Sequence, residues 1–292
     1  MSASSTAGPI GPPSPRGAPT VVVDVAKDLI RRYPGTLPVH RWRLAARRAP
    51  RLPSLARFER QESSAALASW GRRPVASVAT IIPTYRRPEK LVAAVESVLA
   101  QTVADLVVVV IDDGAGLPSL PADERVFAYS LSRNCGVAGV VRNVAIRASA
   151  SRYLAFLDDD NVWLPNHLEV ALAAHARGAA LTYSALDRVL PDGTLRDVLS
   201  VPFDRRRLRD EAISDTNTIV VRRLRSVRFS RVPLRHGEYP GEDWELIYRL
   251  SRRLRTEHIP VTTARYLVHD DSYFHTVDGL ARFDAQRAGL GR

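Results

Sequence analysis

Three carboxylates, Asp158, Asp159 and Asp160, follow one another in YLAFLDDDNVWLPNHL, directly after a short apolar run. Side by side they repel, and a charge run ordinarily faces water. The flanks argue for a different role. The run 153–157 is of the kind that fills the inside of an α/β sheet, and Pro165 followed by a helical pattern marks the point where the chain turns back. Carboxylates that close an interior strand lie where open α/β sheets bind ligands. Hard oxygen donors at that place suit Mg²⁺ or Mn²⁺, which such sites share with a substrate phosphate. A second pair, Asp112-Asp113, also closes an apolar run and is followed at once by Gly114. A third, Glu242-Asp243, opens a helical pattern, where the helix dipole favours negative charge.

The elements that must position these acids follow from the apolar periodicity. From Val75 onward, apolar runs alternate with helical stretches, the pattern of a parallel or mixed sheet with crossover helices. The runs VASVATII, DLVVVVID, RVFAYSL, YLAFLD, AALTYSAL, NTIVVRR and HIPVTTARYLVH read as strands. Helices are expected from about Glu89 to Gln101, over the glycine-led NCGVAGVVRNVAIRASA, from about Asn166 to Arg177, and over EDWELIYRLSRRL. A hairpin is expected at Pro191-Asp192-Gly193.

Upstream, residues 1–19 are Pro, Gly, Ser and Ala with little to bury and read as a disordered tail. Residues 20–74 form an extension with one strand-like run, TVVVDV, and arginine-rich helical segments around 42–48 and 55–70. Its role as lid, interaction arm or docking element is left open by the sequence. Residues 75–292 are expected to form the main domain.

The 292 residues, 45% hydrophobic, suffice for one large core with appendages. No apolar stretch reaches the ~20 residues that span a bilayer, and the N-terminal stretch lacks the apolar core of a signal peptide. The expectation is a cytoplasmic protein, at most peripheral to a membrane. Cys135 is the only cysteine, so no internal disulfide forms, and it reads as a small packing residue. A net charge of +11 favours anionic partners. Lys27 and Lys90 are the only lysines among 42 basic residues, which looks like the coding bias of a GC-rich genome and makes charge a weak guide. A nucleic-acid-binding protein would rest on that charge alone, and paired acids at the cleft would repel phosphate.

The ordered set ATIIPTYRRP, VVIDDGAG, NCGVAGVVRNVAIRAS, YLAFLDDDNVWLP and GEDWEL, spanning about Val75 to His269, resembles the family 2 glycosyltransferases of the GT-A fold. The resemblance implies an α/β, Rossmann-like mixed sheet flanked by helices and a nucleotide-sugar donor, usually a UDP sugar. It implies that Pro83, Thr84 and Tyr85 line the nucleoside pocket and that Asp112 or Asp113 meets the base. Arg142 and Asn143 match the family's RN pair, with Arg142 reaching the base or the diphosphate. The D-x-D motif falls on Asp158 and Asp160 and implies a divalent ion on the diphosphate. Asp159 would face the ribose or sugar hydroxyls, and His269 would be a further ligand. Asn161 stands where many relatives carry another acid. The E-D motif implies Asp243 as the base that takes the acceptor's proton with inversion at the sugar, with Glu242 orienting it or binding acceptor. The acceptor, a glycan, a lipid-linked sugar or a secondary metabolite, would be met by the region 184–239. A sugar-phosphate nucleotidyltransferase is the alternative enzyme, but PTYRRP lacks the glycine-rich loop that chemistry uses.

Overall fold

The computed structural model describes residues 36–233 and 241–268. The expected tail over residues 1–19 and the strand over TVVVDV lie outside them. The central strands are β1 (Val78–Thr84), β2 (Leu106–Asp112), β3 (Val126–Ser130) and β4 (Tyr153–Phe156), all parallel, in the spatial order β3-β2-β1-β4. Their runs are mostly β-branched or aromatic because both faces are covered. Alternate residues of each strand point to opposite faces. Ala79, Ile81, Val109, Leu154 and Phe156 enter one core, and Val78, Ile82, Val108, Ala155 and Leu157 enter the other.

Helices fill the crossovers. Pro88 opens α3 (Pro88–Leu99) at a position where its missing N–H costs nothing. Its apolar stripe, Leu91, Ala94, Val95 and Val98, covers the second core together with α5 (His167–Ala176). On the other face lie α4 (Ala138–Ala148) and α6 (Glu242–Leu250). Beyond β4 the sheet turns mixed. β8 (Ile219–Arg222) runs antiparallel to β4, β6 (Leu181–Val189) antiparallel to β8, and β9 (Thr256–Leu267) parallel to β6. The hairpin about Asp192-Gly193 leads into β7 (Leu195–Leu199) beside β6.

Three features depart from the sequence reading. β1 runs on through Pro83 and Thr84, so both belong to the strand rather than to the turn after it. The pair Val162–Trp163 forms a short strand, β5, against β9; two residues are too few to show a period. The β6–β9 register steps from Ile259 to Thr262, past Pro260, which has no N–H to give to a ladder.

The extension is part of the core. Helices α1 (Thr36–Arg48) and α2 (Leu52–Trp70) place Leu37 and Phe58 in the same apolar cluster as Ile81 and Val140. The inward stripe of α2 also carries two buried acids. Glu59 accepts from Arg147 Nε at 2.7 Å, from Arg231 Nε at 2.6 Å and Nη2 at 2.8 Å, and from Asn143 Nδ2 at 3.1 Å. Burial alone would raise its pKa; the bonds from Arg231 and Arg147 outweigh burial and hold it below the usual range. Glu62 accepts from the Ser132 hydroxyl at 2.5 Å and from the Tyr129 hydroxyl at 3.1 Å.

Against α4, the segment after β8 packs without clearance. A Cβ on Gly139 would lie 2.2 Å from Ser230 O and 3.2 Å from Phe229 Cβ. Gly139→Ala is therefore expected to destabilise by about 1–3 kcal/mol through overpacking, more than the ~1 kcal/mol that alanine contributes in a helix interior. Thermal melts of the two proteins check this, and an equal or higher midpoint in the variant would contradict the contact.

Candidate active site

The C-terminal ends of β1, β2 and β4 share one sheet edge, and the acids gather there. At the end of β2, Asp112 Oδ2 accepts from the backbone N–H groups of Ala115 and Gly116, both at 2.8 Å, and from the Ser130 hydroxyl at 2.5 Å. Asp113 Oδ1 accepts from Cys135 N at 2.8 Å, and Oδ2 from Gly136 N at 2.9 Å. The two acids thus staple two glycine turns to the strand end. Gly114 is required between them: its φ is +77°, and a Cβ would meet Arg133 C at 2.5 Å. Asp112 Oδ1 is buried without a protein partner, so a donor for it must come from water or a ligand.

At the end of β4 the three neighbouring acids take separate directions. Asp159 turns inward, where Oδ2 accepts from the Thr84 hydroxyl at 2.6 Å and Tyr85 N at 3.4 Å, and Oδ1 from Arg87 at 3.0 Å. It fixes the 84–87 loop. The expected partners of this carboxylate are the ribose or sugar hydroxyls; in the structure both of its oxygens accept from these protein donors. Asp160 is paired with Arg87 at 2.6 Å. Tyr85 stands half-open at the rim, with the Arg86 guanidinium 5.0 Å from its ring centre.

Asp158 faces the second half of the cleft. Its backbone N–H donates to Asn217 Oδ1 at 2.6 Å, and its Oδ1 accepts from Arg142. Arg142 is buried and donates from its other arm to Glu242 Oε1 at 2.7 Å. One guanidinium thereby joins the end of β4 to the first residue of α6. Asn217 also donates to Asp215 Oδ1 at 2.6 Å. Arg87, Asp215 and Asn217 were not expected from sequence, since none falls on an apolar period or a carboxylate pair.

Asn143 is the residue that does not join the site. It lies one position along α4 from Arg142, on a different face. Its amide accepts from Phe229 N at 2.8 Å and donates to Phe229 O at 3.0 Å as well as to Glu59. Trp244 is buried too, its Nε1 donating to Leu208 O at 2.7 Å, so it packs rather than stacking on a sugar. His269 lies outside the described residues.

The electrostatics divide the two acids of α6. Burial opposes the ionised Glu242, but Arg142 outweighs it and holds Glu242 below the usual carboxylate range. Among the described residues Asp243 pairs with no arginine. Its Oδ1 accepts from the N–H of Trp244 at 2.7 Å, and burial with the charges of Glu242 and Asp215 pushes it up to about 8. Asp158 is pushed up to about 6 by burial, with Asp215 and Asp160 adding to it against Arg142. Asp159 and Asp215 are raised as well, burial again leading. At each of these four acids burial is the larger cause and a neighbouring carboxylate adds to it.

That donor set fits a divalent cation. Asp158 and Asp160 present hard oxygens at a partly open edge, with side chains 29% and 13% exposed. Among the described residues no group of three His, Cys, Asp or Glu forms a complete cage. Mg²⁺ and its analogues are held in this manner, by one or two carboxylates with substrate phosphates making up the rest.

With this geometry in view, the profile of glycosyl transferase family 2 matches residues 79–232. The chain belongs to this family. Among its relatives, the succinoglycan biosynthesis protein ExoO of Rhizobium meliloti is 37% identical over 125 residues, which are 41% of this chain and 36% of that protein. The E. coli UDP-Glc:alpha-D-GlcNAc-diphosphoundecaprenol beta-1,3-glucosyltransferase WfgD is 33% identical over 101 residues, 33% of this chain and 40% of its own length. The chain thus spans well under two thirds of these relatives. S. aureus TarS 1-349, solved in complex with UDP-GlcNAc, superposes with a TM-score of 0.54 at 15% identity, covering 69% of this chain and 61% of that one. It shares the GT-A fold. The family 2 match ends before α6, so Glu242 and Asp243 lie beyond it, as do α1 and α2 on the other side.

Proposed function

We propose that this chain is an inverting glycosyltransferase that moves a sugar from a UDP-sugar to an acceptor hydroxyl, with Asp243 as general base. The observation that carries this reading is the Arg142 bridge. It sets the donor-side acids of β4 beside the helix start that bears a carboxyl poised near neutral pH. Support for the donor comes from family membership and from the UDP-GlcNAc bound by TarS. Support for a lipid-linked acceptor comes from the name of WfgD.

The roles follow from the contacts. Thr84 and Tyr85, held by Asp159, form one wall of the nucleoside pocket, with Pro83 behind them in β1. Asp112, with its unpartnered Oδ1, accepts from the base, while Asp113 spends both oxygens on the turn at Gly136. Asp158 and Asp160 would hold Mn²⁺ or Mg²⁺, with His269 as a further ligand; the ion supplies charge neutralisation to the departing diphosphate. Arg142 keeps Glu242 ionised, and the Glu242 charge raises the proton affinity of Asp243 next to it. Asp243 takes the acceptor's proton as the hydroxyl attacks.

The discriminating experiment measures release of the donor's own nucleoside diphosphate across UDP, dTDP and GDP sugars with Mn²⁺, and turnover of none of them would overturn the reading. Asp160→Ala should bind UDP with the same affinity with and without Mn²⁺, whereas the parent binds more tightly with the ion. Calorimetry that finds the Mn²⁺ enhancement intact in the variant would move the ion elsewhere.

A further inference from the structure

The outer face of α1 and the start of α2 carry chemistry that the transfer reaction does not use. Trp42 is 73% exposed. Ala46 is exposed one turn beyond it on α1, and Ala49, Pro50 and Pro53 are exposed in and just after the 3₁₀ turn (Ala49–Arg51) that joins α1 to α2. One position along from Trp42, Arg43, Arg47 and Arg51 follow at steps of four, also exposed. Between residues 41 and 73 the only acids are Glu59 and Glu62, and both are buried on the inward side. This outer face thus combines exposed apolar side chains with exposed arginines, and the only two carboxylates of α1 and α2, Glu59 and Glu62, are buried away from it.

We propose that this face docks the protein on an anionic lipid bilayer, with α1 lying in the headgroup layer. An amphipathic helix with arginines beside an exposed tryptophan is built for that interface, since indole rings favour the boundary between headgroups and acyl chains. Each arginine near an anionic surface adds about 1 kcal/mol. A nucleic-acid strand would engage the arginines but leave the exposed Ala and Pro side chains without a use; a headgroup layer takes both. The inward side of α1 fixes what docking brings near. Arg41 pairs with Glu245 of α6 at 2.8 Å, and Leu37 shares a core with Trp244 and Ile247. Docking therefore holds α6, whose first turn carries Asp243, close to the bilayer, where a lipid-linked acceptor would be presented. That last clause rests on the proposed transfer reaction, and the docking does not.

The test is sedimentation of the full chain with two kinds of vesicle, phosphatidylcholine alone and phosphatidylcholine mixed with phosphatidylglycerol. Binding is expected to the mixed vesicles only, to fall with added salt, and to shift the emission of Trp42 to the blue. The combined variant Arg43→Gln, Arg47→Gln, Arg51→Gln should bind on the order of 100-fold more weakly, and Trp42→Ala should lose the spectral shift. UDP affinity and melting temperature of these variants should match the parent, because the substituted side chains lie on the outer face; this separates loss of docking from loss of fold or donor site. Equal binding to both vesicle types, or unchanged vesicle binding in the variants, would overturn the proposal. Binding of a short RNA that depends on the same arginines, without vesicle binding, would overturn it in favour of nucleic acid. If vesicles bind as expected and no UDP-sugar is turned over, docking stands and the transfer reading fails.

Discussion

Asp243→Asn should lower the rate of sugar transfer by about 10² to 10⁴ while leaving UDP-sugar binding nearly unchanged. General-base catalysis is typically worth that factor, or roughly 3–5 kcal/mol of barrier at 1.36 kcal/mol per decade. Asparagine keeps the size and one acceptor oxygen, so the N–H of Trp244 retains its partner and only the basic site is lost. An interaction made mainly in the transition state gives this pattern, a fall in kcat with little change in donor affinity. The pH profile supplies a second readout. With its carboxyl up at about 8 through burial and the neighbouring charges, Asp243 is protonated in most molecules below that pH, and transfer should rise about tenfold per pH unit on the acid side. The slope should level above pH 8 and vanish in the variant. Stability follows the same proton in the opposite sense. A raised carboxyl contributes stability that is full below its ordinary pKa and is lost as pH rises through about 8. The variant should therefore lose less stability than the parent over that window. A variant that transfers at the parent's rate would remove Asp243 from the role and make Glu242 the next residue to test.

Glu59→Ala should cost about 3–5 kcal/mol of stability, the range for removing one partner of a buried ion pair. The loss leaves Arg147, Arg228 and Arg231 together without the carboxylate that all three now contact, and takes one acceptor from Asn143. For a chain of this size the melting temperature should fall on the order of 10 °C. The sign against pH is that of a depressed carboxyl. Its contribution is present above the ordinary glutamate pKa and is lost as pH falls through the lower folded value. The gap between parent and variant should therefore narrow in acid. Urea melts measure it directly, and a difference under about 1 kcal/mol would show that the cluster is solvated rather than buried. Replacing Glu59, Arg147 and Arg231 together by methionine should recover much of the loss, because an apolar cluster of similar volume avoids the desolvation cost.

How legible the molecule was in its sequence depended on whether a side chain's direction follows from its spacing. The runs VATII, LVVVV and YLAF could be read as interior strands because both faces of those strands are buried, which leaves an unbroken apolar signature. The strand-end acids were visible for the same reason, as charges where the apolar run stops. Direction within a turn was not. Asp158, Asp159 and Asp160 are neighbours in sequence, yet only the structure shows the middle one locked inward on Thr84 and Arg87. On α4 nearly every residue is buried, so no periodicity separated Arg142, which enters the cleft, from Asn143, which ties down Phe229. Arg87 and Asn217 carried no local signal for the site because the acids they contact there, Asp158, Asp159 and Asp160, follow another strand, while Asp215 caps its own short turn by accepting from Asn217 N. The two acids on the stripe of α2 did carry one, being charges at positions where a packed helix places apolar residues.

The Glu59 cluster also sets an order of events during synthesis. Its carboxylate is joined to Arg147 across 88 residues and to Arg231 across 172. At about 5–20 residues added per second, on the order of ten seconds pass between the emergence of α2 from the ribosome and that of its last guanidinium partner. During that interval Phe58 and Ala66 have no completed wall to pack on, and Glu59 lacks its Arg231 partner. Contacts of such long sequence separation make closure slow, so the yield of native protein should depend on what shelters the nascent α2 until the arginine at 231 arrives.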